Sequence, residues 1–250
     1  MIIDASERYS GYATCLSSPQ AARLPEHKPG DHEIPLQDPL TTIPTGAVCK
    51  TTWEEDEALQ KYLDEDLPTG KVRRSRSATG APILFLRKKD GFLRRVIDYR
   101  ALNRLTILHK YPLPLISELL DKTRCGKWFT RLDLKNGFNL ITVAAGHEWK
   151  TAFRTKKGLF KYTVMPFGLM NAPATIQEMI DMIFKDEEGC VRYRDDILIY
   201  GEQTHAEHQA YVEKILQQCV HHGLAVNLTN SEFHIHKTIF LCHIVNGSQA

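Results

Sequence analysis

The sequence lacks any run that approaches the roughly 18 consecutive apolar residues of a membrane-spanning helix. Its first twenty residues carry Asp4, Glu7 and Arg8 and have no apolar stretch of the kind found in secretory signal peptides. These absences predict a soluble, intracellular protein of the cytoplasm or nucleus that is not secreted and has no membrane partner.

Closely spaced cysteines are also missing. No C-x-x-C pair occurs, and no histidine stands at the spacing of a zinc finger, which argues against a zinc site or a disulfide framework. With 42% hydrophobic and 25% charged residues, the 250-residue chain has enough apolar surface to bury a sizeable core. The six cysteines are therefore predicted to be reduced thiols: Cys15, Cys49, Cys125, Cys190, Cys219 and Cys242.

Charge is distributed unevenly along the chain, although the formal net charge is only +2. Residues 1–66 hold five Lys or Arg against thirteen Asp or Glu, whereas residues 67–110 hold twelve against two. The basic segment predicts a surface that binds a polyanion such as nucleic acid. The alternative is that it forms an ordinary solvated face.

Local patterns predict the order of elements. Residues 1–50 are rich in Pro, Ser, Thr and Gly and predict an irregular connector. Thr52 and Glu55 form a capping-box pattern that predicts a helix start. The stretch APILFLRKKDGFLRRVIDYR predicts a β-hairpin turned at Asp90-Gly91. Further strands are predicted at WFTRLDL, LAVNL and TIFLCHIV, and a second capped helix begins at Thr204. The order predicts an α+β fold with mostly antiparallel pairing.

Three aspartates stand at the ends of predicted strands. Asp133 ends an apolar strand, and Asp195 with Asp196 occupies the turn of a predicted hairpin in CVRYRDDILIY. If these strands neighbour each other, three carboxylates converge and repel one another, which calls for cations. Hard oxygen ligands without His or Cys suit Mg²⁺, and two such ions about 3.5 to 4 Å apart support nucleotidyl transfer. The alternative is ordinary turn chemistry, which also favours Asp.

Five segments in order make the sequence resemble a known family. Over residues 24–246 it is similar to the reverse transcriptase region of gypsy-type long-terminal-repeat retrotransposon polyproteins. The segments are GAPILFLRKKDGFLRRVIDYRALNRLTI, YPLPLISELLD, FTRLDLKNGF, EWKTAFRTKKGLFKYTVMPFGLMNAPATIQ and YRDDILIY. The resemblance implies a right-hand polymerase plan for residues 51–250 with no thumb, in which fingers occupy about 67–128 and 146–165 and palm about 129–145 and 166–250.

The resemblance also implies roles for individual residues. The catalytic and metal-binding residues would be Asp133, Asp195 and Asp196. The primer and template would meet Tyr193 and Arg194. Phe138 would pack against the sugar and exclude a 2′-hydroxyl, although a core position is the commoner fate of a phenylalanine. The dNTP-binding residues would be Lys88, Arg94, Asn136, Gly137, Phe138, Phe167 and Gly168.

The implied activity is that of an RNA-directed DNA polymerase. It would join dNTPs to a primer 3′-hydroxyl on an RNA or DNA template, with two Mg²⁺ ions for which Mn²⁺ substitutes. The sequence does not indicate an oligomeric state.

Three positions depart from the family's pattern. Arg194 fills a place where the family usually has a small or apolar residue, and its guanidinium is expected to pair with a catalytic carboxylate. Asn230 stands where the family usually has a lysine that helps protonate pyrophosphate, and Cys242 replaces a glycine. These departures support a rival hypothesis, in which the chain is a catalytically decayed relic that folds and binds nucleic acid without turnover.

Overall fold

The structure is a computed structural model that describes residues 8–16, 24–87, 91, 93–135, 137–202 and 204–247. The chain divides into two compact units, each built from separate stretches of sequence. The first unit comprises residues 1–22, 111–137 and 176–250, and the second comprises residues 23–110 and 138–175. None of the described helices is long and apolar enough to cross a membrane.

Helices are interspersed with runs of strands along the described part of the chain. The helices are α1 (Ala13–Leu16), α2 (Trp53–Asp66), α3 (Arg100–Leu105), α4 (Ile116–Thr123), α5 (Ala172–Ile183) and α6 (His205–His221). The strands are β1 (Val72–Arg74), β2 (Ala81–Arg87), β3 (Leu93–Ile97), β4 (Trp128–Asp133), β5 (Phe153–Thr155), β6 (Gly158–Tyr162), β7 (Cys190–Tyr193), β8 (Asp196–Gly201), β9 (Glu232–Ile235), β10 (Lys237–Phe240) and β11 (His243–Asn246).

The second unit contains a five-stranded sheet in the order β1-β6-β5-β2-β3. Its β2–β3 hairpin runs in register from Ile83 opposite Ile97 to Arg87 opposite Leu93. The predicted Asp90 of its turn lies outside the described residues. Strands β2 and β5 pair in parallel, whereas the other pairs of this sheet are antiparallel. In β6, Phe160 and Tyr162 are buried and Lys161 between them is not, because successive residues of a strand point to opposite faces.

Helix α2 begins as the sequence predicts. The Thr52 hydroxyl accepts a hydrogen bond from the Glu55 N–H at 3.3 Å, and the Glu55 carboxylate accepts one from the Thr52 N–H at 2.8 Å. This capping box satisfies two N–H groups that the helix cannot pair internally. Leu59 and Leu63, four residues apart, form the buried side of the helix.

The first unit contains a four-stranded antiparallel sheet in the order β7-β8-β4-β9. The two central strands are buried in the middle, where Leu132 lies opposite Ile197 and Thr130 lies opposite Ile199. Strands β10 and β11 form a separate hairpin whose Phe240 packs in a cluster with Phe129. Helix α6 begins at the predicted capping box of Thr204 and Glu207.

The predicted fold class is confirmed, because both units combine helices with a sheet whose strands pair mostly antiparallel. Two predicted strands are wrong. TIFLCHIV does not form one strand, because it folds into the hairpin of β10 and β11 with its turn at Leu241 and Cys242. In LAVNL only Val226 pairs, through an isolated bridge with Leu134, and a 3₁₀ turn follows at Leu228–Asn230. The bridge consists of the bond from the Asn227 N–H to the Asp133 carbonyl at 2.8 Å and the bond from the Lys135 N–H to the Ala225 carbonyl at 2.6 Å. The pairing ends there because the chain turns at Leu228–Asn230.

The N-terminal segments make local contacts with their units. In the first unit, Tyr9 and Cys15 are buried, and the Cys15 carbonyl accepts a hydrogen bond from the Val226 N–H at 2.7 Å. In the second unit, residues 24–50 form no helix or strand, but Ile34 and Ile43 are buried.

Candidate active site

The three aspartates lie at one end of the four-stranded sheet of the first unit. Strand β4 pairs with β8 so that Asp133 stands directly opposite Asp196. Asp195 precedes Asp196 in the β7–β8 turn, and its carbonyl accepts a hydrogen bond from the Leu134 N–H at 2.8 Å. The strand pairing therefore brings the backbones of all three residues together.

The carboxylates influence one another's protonation. Burial, followed by the charges of Asp195 and Asp133, raises the pKa of Asp196 to about 6, against a smaller opposing effect of Arg131. Burial and the charge of Asp133 also raise the pKa of Asp195. Like charges in a partly buried site oppose ionisation, and a cation bound there would relieve both effects.

The donor set fits Mg²⁺ in chemistry, although the side chains are not gathered around one point. Among the described residues, no group of three His, Cys, Asp or Glu side chains is placed to hold a metal ion. The Asp133 carboxylate instead accepts hydrogen bonds from the amides of Asn230 at 2.9 Å and Asn227 at 3.2 Å. Mg²⁺ commonly uses one or two carboxylates and takes its other oxygens from water and substrate phosphates. The cross-strand pair of Asp133 and Asp196 matches that requirement.

The turn that carries Asp195 is held by a residue that the sequence analysis missed. Arg194 adopts a φ of 56°, and its N–H donates to the Gln177 side-chain oxygen at 2.8 Å. Gln177 is fully buried on α5, and its amide nitrogen donates to both oxygens of Asp181 at 3.1 and 3.2 Å. A fully buried amide with both ends bonded is a strong fixed point for the turn. The glutamine stands in ATIQ, but its sequence position alone gives no sign of this contact.

Arg194 does not make the ion pair expected of it. Its guanidinium lies over the ring of Tyr193, 5.1 Å from the ring centre. Within the part of the chain that the structure describes, no Asp or Glu lies at ion-pair distance from Arg194. Its charge acts on Asp195 only at longer range, where it offsets a small part of the rise in the pKa of that carboxyl. The expected pairing is therefore wrong, because the cation–π contact takes up the side chain.

Gly137 lies against the Asp195 side chain within the first unit. A Cβ added at Gly137 would lie 2.9 Å from the Ile176 Cδ1 and 3.3 Å from the Asp195 Cβ. A larger residue would push against the aspartate turn. Its neighbour Asn136 lies outside the described residues, as does Lys88 of the β2–β3 hairpin.

The second unit carries a short row of the remaining predicted dNTP-binding residues. The rings of Phe138 and Phe167 lie 4.5 Å apart, and the Arg94 guanidinium lies 6.0 Å from the Phe167 ring centre. Phe138 is buried, whereas Phe167 is 56% exposed. The row therefore contains the buried ring of Phe138, the exposed ring of Phe167 and the guanidinium of Arg94. Such a set suits stacking against a sugar or base next to a phosphate.

Gly168 follows Phe167 in a tight turn. It has a φ of 96°, and a Cβ here would lie 3.4 Å from the Ile97 carbonyl oxygen. The Asn103 amide donates to the Gly168 carbonyl at 2.8 Å and accepts from the Met170 N–H at 2.9 Å. Asn103 thus fixes the turn from both sides.

Part of the basic excess of residues 67–110 is neutralised within the second unit. Arg87 pairs with Glu54 at 2.6 Å, and Arg95 pairs with Asp66 at 2.5 Å, both acidic partners lying on α2. Arg94 forms no ion pair with any described residue. The predicted polyanion surface is therefore narrower than the sequence suggests, and Arg94 is its available cation on the described part of β3.

Comparison with known proteins places the chain in a family. It matches the family "Reverse transcriptase (RNA-dependent DNA polymerase)" over residues 86–245. It is 39% identical over 187 residues to the Transposon Tf2-3 polyprotein of Schizosaccharomyces pombe, covering 74% of this chain and 14% of the polyprotein. The Tf2-7 polyprotein of the same organism is 38% identical with the same coverage. The chain thus spans only a small part of the length of these curated relatives.

Solved structures share the fold. The foamy viral protease–reverse transcriptase in complex with an RNA/DNA hybrid has a TM-score of 0.87 at 23% identity, covering 97% of this chain and 32% of that one. A second foamy viral structure, in complex with double-stranded DNA, has a TM-score of 0.85 at 24% identity, covering 97% and 42%. The resemblance that the sequence motifs predict is confirmed by the family match and by the transposon relatives. The chain belongs to the reverse transcriptase (RNA-dependent DNA polymerase) family.

Proposed function

We propose that this chain is the part of a retrotransposon polyprotein that carries out RNA-directed DNA synthesis by two-metal nucleotidyl transfer. The observation that carries the proposal is the register of β4 and β8, which sets Asp133 opposite Asp196 with Asp195 in the adjoining turn. Mutually raised pKa values at Asp195 and Asp196 support the view that this site is made for cations.

The aspartates would hold two Mg²⁺ ions, which, when bound, would activate the primer 3′-hydroxyl and stabilise the pyrophosphate leaving group. Arg94 would bind triphosphate oxygens with its forked guanidinium, together with Lys88. Phe138, backed by Phe167, would lie against the sugar and exclude a 2′-hydroxyl.

The proposed partners are a template–primer duplex and dNTPs. Two foamy viral relatives in fold are complexes with an RNA/DNA hybrid and with double-stranded DNA, which supports a duplex as the ligand of this chain also. The right-hand assignment of fingers and palm belongs to the same proposal. Tyr193 and Arg194 would then meet the primer end, next to the metal-binding turn.

A primer-extension assay with Mg²⁺ and an RNA template tests the proposal. The chain should extend the primer, and Asp195→Asn should abolish extension and weaken Mn²⁺ binding, since a charged ligand is lost. Asp186→Asn is a matched control, because Asp186 is an exposed aspartate of the same unit. Equal metal binding by the Asp195 variant and the unmodified chain would contradict the proposed site.

A second candidate is the decayed relic that binds nucleic acid without turnover. It is favoured by the β10–β11 turn, where Leu241 and Cys242 adopt φ values of 49° and 65° that normally require glycine or asparagine. The family resemblance implies that this turn, where Cys242 replaces a glycine, holds the primer strand, and a strained turn would weaken that contact. Two results together would favour the relic over the enzyme: the chain binds the duplex tightly without extending the primer, and Asp195→Asn leaves duplex binding unchanged.

A further inference from the structure

One short loop of the first unit encloses Asp133. This loop, residues 227–231, is called here the asparagine loop. Its Asn227 and Asn230 amides both donate to the same carboxylate oxygen of Asp133, Oδ2, at 3.2 and 2.9 Å. The Ser231 hydroxyl accepts a hydrogen bond from the Asp133 N–H at 3.1 Å, and the Asp133 carbonyl accepts one from the Asn227 N–H at 2.8 Å. Four hydrogen bonds therefore join this one aspartate to the loop.

The asparagine loop is itself anchored from the sheet. Arg131, two residues before Asp133 on β4, donates to the Asn230 carbonyl at 3.0 Å and to the Ile239 carbonyl at 2.7 Å. The Ser231 hydroxyl donates to the Asn227 carbonyl at 2.7 Å. These bonds use main-chain oxygens, so they hold the loop in place whichever side chain stands at position 230.

The two sets of bonds have different consequences. Main-chain bonds at Asp133, Asn227 and Asn230 fix the path of the chain. The two amide donors act on the carboxylate itself, where they restrict its rotation about χ2. Groups that orient a metal ligand in this way typically change metal affinity 10- to 100-fold when removed.

We propose that Asn227 and Asn230 are positioning residues that fix the Asp133 carboxylate for a divalent cation. The inference rests on the proposed function, because it needs Asp133 to be a metal ligand. It gives Asn230 a role that differs from that of a proton donor to pyrophosphate. With Oδ2 occupied by two amides, Asp133 offers its other oxygen, Oδ1, to the cation.

Calorimetric titration of the full chain with Mn²⁺ alone tests this role without any need for activity. Asn230→Leu keeps the branched shape of the side chain and removes the donor, and it is expected to weaken Mn²⁺ binding about 10-fold or more. Asn230→Gln keeps an amide on a longer stem and should restore most of the affinity. Because Asn230 is exposed, thermal unfolding of both variants should stay close to that of the unmodified chain.

Two comparisons make the result decisive. Asn246→Leu, the same change at the end of β11, should leave Mn²⁺ affinity unchanged. Asn227→Leu should weaken binding as Asn230→Leu does, and the double variant should weaken it further. If Asp195→Asn weakens binding but Asn230→Leu does not, the positioning role is overturned and the proposed function stands. If Asp195→Asn has no effect either, the metal site and the inference fail together.

Discussion

The guanidinium of Arg194 lies over the ring of Tyr193, its own neighbour in the β7–β8 turn, and the backbone of Arg194 has a φ of 56°. A side chain other than glycine in this left-handed region costs about 1 to 2 kcal/mol. A hairpin turn with a positive φ at its first central residue normally takes glycine there.

Arg194→Gly is therefore expected to stabilise the chain by about 0.5 to 1 kcal/mol, since strain is relieved at some cost in unfolded-state entropy. Thermal or urea unfolding measures this. Arg73→Gly on strand β1 is the control and should destabilise by about the same amount, because glycine weakens a strand with ordinary backbone angles. A lower unfolding temperature for the Arg194 variant would contradict the argument.

Removing the ring of Phe138 should relax the choice of sugar. If this ring excludes a 2′-hydroxyl, Phe138→Ala is expected to raise the ratio of rNTP to dNTP incorporation by about tenfold or more, the change that 1.4 kcal/mol produces. Phe138→Leu keeps most of the bulk and should change the ratio less. Incorporation kinetics with both nucleotide classes provide the measurement, and an unchanged ratio would count against the sugar contact.

Arg94 and Arg87 should differ in their contribution to duplex binding. Arg94 has no acidic partner in the described part of the chain, whereas Arg87 pairs with Glu54 at 2.6 Å. Arg94→Ala is expected to lower the slope of log K against log salt by about 1, since one phosphate contact is lost. Arg87→Ala should change the slope less. Fluorescence anisotropy with a labelled RNA/DNA duplex over a salt series tests this. If the slope for Arg94→Ala equals that of the unmodified chain, Arg94 does not contact a phosphate of the duplex.

Stability should fall on mild acidification because of two histidines in the first unit. Burial, with the nearby charges of His234 and His205, lowers the pKa of His208 to about 4. Burial also lowers the pKa of His234 to about 4, where His205 and Arg8 act in the same direction and Glu213 opposes them. His208 bonds to the Thr130 hydroxyl at 3.0 Å, and His234 bonds to the Tyr9 hydroxyl at 2.6 Å.

Both histidines are neutral in the folded chain at a pH where the unfolded chain binds protons. The contribution of these neutral histidines to the free energy of unfolding is therefore fully present above pH 6.5 and decreases as the pH falls from 6.5 towards 4. For the buried His208 the decrease is at most about 1.4 kcal/mol per pH unit. Urea unfolding at several pH values measures the slope. His208→Gln should flatten it, while His221→Gln, an exposed change at the end of α6, should not.

Helices and hairpins could be predicted from neighbouring residues, whereas contacts between residues far apart in the sequence could not. The capping boxes at Thr52 and Thr204 and the β2–β3 hairpin were predictable because their partners stand within a few residues. The approach of Asp133 to Asp196 followed from strand patterns together with the family's motif order.

Other contacts depend on the tertiary fold alone. The amide of Asn230 reaches Asp133 across 97 residues of sequence, and Gln177 reaches the Arg194 N–H across 17. The pairing of Glu54 with Arg87 was likewise hidden, since charge counts do not tell which acidic residue meets which basic one. The LAVNL strand was predicted wrongly because its apolar alternation suggested a ladder, whereas the pairing stops after the single bridge at Val226, where the chain enters the 3₁₀ turn Leu228–Asn230.

The interleaving of the two units fixes an order of assembly during synthesis. The second unit has all of its segments once residue 175 has left the ribosome, whereas the first unit still lacks residues 176–250. Strand β4 is synthesised before both of its neighbours, β8 and β9, so its apolar residues stay exposed until those strands have been made. Chains that stop within the last quarter of the sequence should therefore aggregate through β4, because an unpaired apolar strand edge is a site for pairing between molecules.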